Sequence, residues 1–109
     1  MNKIVISNEA IESIIVNAVT QVDGVLSTWK GAEEYVPYLK NDTRRPHGVE
    51  FSIDENVISI TVFLVAKYGT NVKELGKEVQ REVKSQIENI TPFTVSEVNV
   101  IIEDIKDEG

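Results

Sequence analysis

The sequence predicts an α+β fold: a small mixed β-sheet, made of a hairpin plus a parallel crossover strand, with two helices packed on one face. Three observations carry this expectation. Val49, Phe51 and Ile53 alternate with Glu50 and Ser52, then Asp54-Glu55-Asn56 and a second apolar run follow, as in a hairpin. Val72, Leu75, Val79, Val83, Ile87 and Ile90 recur at helical spacing directly after that run. Val98, Val100 and Ile102 then alternate again, so Val62 to Ile102 reads as one strand–helix–strand unit. Two strands joined by such a helix run parallel, with a right-handed crossover, if they share a sheet.

The elements follow in order. Ile4 to Ile6 fits a short edge strand. Ser7 or Asn8 suits a helix N-cap, since either side chain accepts bonds from the free amides of a first turn. Ala10, Ile11, Ile14, Ile15, Ala18, Val19 and Val22 form one apolar helical face, and Gly24 suits the left-handed residue that closes a helix. Val25 to Trp29 reads as extended. Gly31 to His47 contains Pro37, Pro46 and Asn41-Asp42 and reads as a long loop with a helical turn near Glu33 to Leu39. Long loops in small domains are usually functional or mobile. In the returning strand, Val57 to Tyr68, Ile58, Ile60, Val62, Leu64 and Ala66 share one face. Phe63 and Val65 on the other face imply partial cover there, by the loop or by a partner. Asn71 and Glu74 form a capping-box-like pair, Gly76 is expected to let the helix approach the sheet closely, and Thr91-Pro92 ends the helix. The stretch from 103 to 109 reads as a charged, fraying tail.

Bulk properties bound the rest. A chain of 109 residues, 41% hydrophobic and 27% charged, fits a single globular domain over 1–109, with a variable loop at about 31–48. It has no cysteine, which excludes disulfides and thiolate chemistry and favours the cytoplasm. Eighteen acidic against 11 basic residues give a net charge of −7. That balance opposes a phosphate-backbone grip and adsorption to anionic lipid. The start, Met1-Asn2-Lys3-Ile4, lacks the pattern of a signal peptide. The longest apolar run, Val57 to Ala66, is broken by Ser59 and Thr61 and is far shorter than the ~20 residues that span a bilayer. Neither insertion nor export is expected.

Chemistry-bearing motifs are sparse. His47 is the only histidine, has no carboxylate in helical or hairpin register for a metal site, and reads as a solvated loop residue. No Gly-x-Ser-x-Gly elbow accompanies it. Six residues separate Gly69 from Gly76 where a phosphate loop has four, and Glu78 stands where it needs Ser or Thr. Glu33-Glu34, Asp54-Glu55 and Glu103-Asp104 fall in turns or the tail, without the unlike environments that split carboxylate roles. Arg44-Arg45, with Lys40 upstream and Trp29, Tyr35 and Tyr38 in the same segment, is the one basic–aromatic cluster. Arg and aromatic residues anchor protein interfaces and stack on nucleic-acid bases. The plainer reading is a mobile charged loop. A KH-type RNA module would need a Gly-x-x-Gly clamp, which is missing.

Ile4-Val5-Ile6-Ser7, Ala10-Ile11-Glu12-x-Ile14 and Val22-Asp23-Gly24-Val25 resemble the opening of the alkaline shock protein family, the envelope stress response proteins of Gram-positive bacteria. Val57 to Tyr68-Gly69, Val79-Gln80-x-x-Val83-Lys84, Ile90-Thr91 and Val95-x-Glu97-Val98-Asn99-Val100 continue the resemblance, which omits only Gly31 to His47. It implies a non-catalytic, self-associating cytoplasmic protein, held near the membrane by a membrane-anchored partner and linked to envelope homeostasis. It carries over no functional residues. The expectation is therefore a homo-oligomeric or partner-bound scaffold without catalytic, cofactor or metal sites. Its candidate partner-binding residues are Trp29, Tyr35, Tyr38, Arg44 and Arg45. The alternative is a small nucleic-acid-binding regulator using Lys40, Arg44 and Arg45.

Overall fold

The structure, a computed structural model, describes residues 2–29 and 46–108. It is an α+β domain with a four-stranded sheet and two helices, as predicted. The chain runs through helix α1 (Asn8–Thr20), strand β1 (Val25–Thr28), a 3-10 turn at Pro46–Gly48, and strands β2 (Val49–Asp54) and β3 (Val57–Lys67). Helix α2 (Val72–Ile90) and strand β4 (Thr94–Lys106) complete it.

β3 organises the sheet. One of its edges takes β1 and β2, both antiparallel: β1 lies against Leu64–Ala66 and β2 against Val57–Val62. The two are laid end to end, and the Trp29 amide donates to the Phe63 carbonyl (2.7 Å) at the join. The other edge of β3 pairs with β4 in parallel register, Ile60 beside Val98 and Leu64 beside Ile102. Ile58, Ile60, Val62, Leu64 and Ala66 point to one side and are fully buried. Ile11, Ile15 and Val19 of α1, and Leu75, Val79, Val83 and Ile87 of α2, complete that core. The spacings of both helices place those residues on one stripe, and burying each contributes about 1.5–3 kcal/mol before chain entropy is counted. α1 lies over β1 and β2, and α2 over β4.

Local chemistry sets the helix ends. The Ser7 hydroxyl accepts from the Ala10 amide (3.1 Å), and the Asn71 side chain accepts from Lys73 and Glu74 (3.1 Å each). Thr91 is buried at the end of α2. Its hydroxyl donates to the Ile87 carbonyl (2.7 Å) and accepts from the Phe93 amide (3.1 Å), turning the chain toward β4.

Four expectations change. Residues 2–7 form no strand: Ile4 and Val5 are exposed, and only Ile6 packs against the core. α1 ends at Thr20 with Gln21 as its cap, and Gly24 serves the later turn into β1 instead. The charged stretch from Glu103 to Lys106 is strand, not tail, because a sheet edge needs backbone pairing but not apolar side chains. Val65 stands beside Asp104 and Lys67 beside Lys106. Gly76 does not mediate close packing, since a Cβ there would meet nothing within 4 Å. Gly76→Ala is accordingly expected to stabilise the protein by about 0.5–1 kcal/mol through helix propensity, read as a rise in the urea midpoint at unchanged slope.

Candidate interaction surface

Of the candidate residues, only Trp29 lies among the described ones; Tyr35, Tyr38, Arg44 and Arg45, with Lys40, fall outside them. Trp29 ends the β1 line and is half-buried. Gly48 sits directly against it. A Cβ on Gly48 would lie 2.8 Å from the Trp29 carbonyl oxygen. Phe63 and Val65, on the sheet face away from the helices, are buried, which agrees with the expected cover on that side. Further along this face the surface is polar. The Ser59 hydroxyl donates to Glu97 (2.9 Å), and Asn99 reaches Thr61 at 3.5 Å.

His47 is exposed, but it is not without a carboxylate. The fold brings Glu12 of α1 to it, with Nε2 3.6 Å from Oε2. Sequence register could not show this, because the pair joins α1 to a turn far along the chain. The two line an open groove of about 540 Å³ beside α1, with Glu9, Ser13, Val16, Asn17 and Thr20. Among the described residues, no group of three or more His, Asp or Glu side chains converges as a metal site would require.

The surface that sequence reasoning missed is β4. Among the described residues its outer edge pairs with no strand. α2 covers the first part: Glu88 accepts from the Val95 amide (2.9 Å), and Gln80 donates to the Val98 carbonyl (3.1 Å). No described side chain bonds the backbone from Asn99 to Glu103, and the Asp104 carboxylate accepts from the Ile105 amide (2.8 Å). Ile101 and Ile105 are exposed on this strand. The alternating Val-Asn-Val-Ile-Ile sequence was the available signal, but it reads equally well as a covered strand.

The chain belongs to the Asp23 family (a family name, not a residue), the alkaline shock proteins, described as having a cell envelope-related function; the family model matches residues 1–107. Among the relatives is YqhY of Bacillus subtilis (strain 168), 26% identical over 102 residues, covering 94% of this chain and 76% of YqhY. Spy1535 of Streptococcus pyogenes serotype M6 is 29% identical over 108 residues, covering 96% and 80%. Both are described as uncharacterized. Two solved structures of MamM CTD variants share the fold. One, a zinc form, has a TM-score of 0.59 at 17% identity and covers 88% of this chain and 84% of its own. The other has a TM-score of 0.54 at 14% identity, covering 90% and 98%. No helix among the described residues is long and apolar enough to cross a membrane.

Proposed function

We propose that this protein is a non-enzymatic, self-associating or partner-bound scaffold at the cytoplasmic face of the cell envelope, held there by a membrane-anchored protein. Membership of a family with a cell envelope-related function is the observation that carries this reading. It is supported by the exposed apolar side chains Ile4, Val5 and Ile101 and by the outer edge of β4, which pairs with no strand among the described residues. The nucleic-acid alternative finds no support in the described geometry: its residues Lys40, Arg44 and Arg45 lie outside it, and the net charge of −7 opposes it.

Light scattering on the purified chain, with affinity capture from detergent-solubilised membranes of the source cells, tests the proposal. The expected result is a mass above that of one chain, or a membrane-spanning protein retained reproducibly over a mock column. A strict monomer that retains no membrane protein defeats the reading.

A further inference from the structure

We propose that copies of this chain join by arm exchange: the segment before α1, Asn2 to Ile6, of one copy adds as an antiparallel strand to the β4 edge of another. The inference rests on the self-association reading and specifies its contact.

Two unsatisfied surfaces motivate it. The arm presents Ile4 and Val5 at 92% and 72% exposure, although β-branched residues favour strands and apolar side chains favour burial. Among the described residues the outer edge of β4 pairs with no strand, and Ile101 on that strand is 39% exposed. A chain cannot readily satisfy both by itself. The arm leads into α1, which lies over β1 and β2, whereas β4 forms the opposite edge under α2. Ile6 also packs on the core and anchors the arm on its own side. A second copy can supply what the fold withholds.

Backbone geometry and charge select the register. The Val98 carbonyl faces outward, toward Gln80. Strand residues two and four further on present their backbone groups the same way, so Val100 and Ile102 point to the open edge. An antiparallel arm with Ile4 opposite Ile102 hydrogen-bonds there and sets Val5 opposite Ile101. Glu103 is the extra residue of an irregularity between Ile102 and Asp104, so Lys3 arrives beside the Glu103–Asp104 acidic pair, joining a cation to two carboxylates. A parallel arm with Val5 kept opposite Ile101 would set Lys3 opposite Asn99 and lose that pairing. Direct pairing of two β4 edges centred on Val100 is disfavoured, since it opposes Glu97 to Glu103 and like charges directly opposite destabilise a sheet; centred on Ile101 it needs no arm, and the arm variant below separates it from arm exchange.

The test uses the full chain and light scattering, with circular dichroism to confirm folding. Ile4→Asp/Val5→Asp alters only exposed residues, and the expected result is a shift of the oligomer to the monomer mass. Lys3→Glu is expected to weaken assembly, and Lys3→Glu combined with Glu103→Lys to restore it. Mixing the arm double variant with Ile101→Asp is expected to give a heterodimer, because each chain keeps the half that the other has lost. A wild-type oligomer left intact by the arm double variant overturns arm exchange while leaving self-association standing. A monomeric wild type overturns both.

Discussion

Gly48→Ala is expected to lower the unfolding free energy by about 2–4 kcal/mol, although it adds a single methyl group. Gly48 has φ +72°, a left-handed conformation that costs other residues about 1–2 kcal/mol. The new Cβ would also fall 2.8 Å from the Trp29 carbonyl oxygen and 2.9 Å from Thr28 Cβ. Neither of these groups is a flexible chain end. The end of β1 and the start of β2 would have to move apart, weakening the bond from the Trp29 amide to Phe63, which contributes about 1 kcal/mol. Gly69→Ala is the internal control. It shares the left-handed backbone, at φ +93°, but its Cβ meets nothing within 4 Å, so only the conformational part of about 1–2 kcal/mol should remain. Urea unfolding of both variants measures the difference. Trp29 is the only tryptophan, so its fluorescence reports whether the join itself has opened. Equal losses for the two variants would show that the close contact carries no cost.

Leu64→Ala should cost more, about 3–5 kcal/mol, a large share of the roughly 5–15 kcal/mol that holds a small domain folded. Leu64 is completely buried, on the strand that pairs with each of the other described strands, beside Thr28 of β1 and Ile102 of β4. The helices close over it, so the cavity left by the truncation can collapse only by moving whole elements. Ile53→Ala, on β2 at 38% exposure, provides the contrast and should cost well under half as much. Chemical denaturation with matched slopes decides it. A loss below about 1 kcal/mol for Leu64→Ala would mean that the sheet's centre lies elsewhere.

How far the sequence could be read depended on whether side chains reported what the backbone was doing. α2 was legible because its apolar residues keep a 3.6-residue period and Asn71 and Thr91 mark its ends chemically, although only Leu75, Val79, Val83 and Ile87 of the expected stripe are buried and its outer members Val72 and Ile90 stay exposed. The β2–β3 hairpin was legible because Phe51 and Ile53 alternate up to a two-residue turn at Glu55-Asn56. β4 was legible only in its middle. From Glu103 to Lys106 the strand exists through backbone pairing with β3, while its side chains, the single apolar Ile105 among them, stay exposed and show no apolar alternation. Ile4 to Ile6 failed in the opposite sense: the residues have strand character, but among the described residues they pair with no strand. Gly76 was misread because a glycine in sequence cannot reveal whether its missing side chain faces a wall or open space. The candidate surface was the least legible part. The sequence directed attention to the aromatic and basic residues after Trp29. The arm and the β4 edge are ordinary apolar sequence that becomes conspicuous only once the sheet is seen to end there.

The end-to-end placement of β1 and β2 makes the junction at Trp29 and Gly48 a splice site. Both sides are fixed by their bonds to β3, whatever length of polypeptide joins them. Closing a flexible connection of twice the length costs only about 0.6 kcal/mol more, whereas one residue added inside β3 would turn its buried row outward. The domain can therefore accept new sequence at this point while the rest of its sheet stays in register. The limit on that freedom is steric rather than entropic: whatever is inserted must still deliver the chain back to Gly48 with room for a hydrogen and nothing larger.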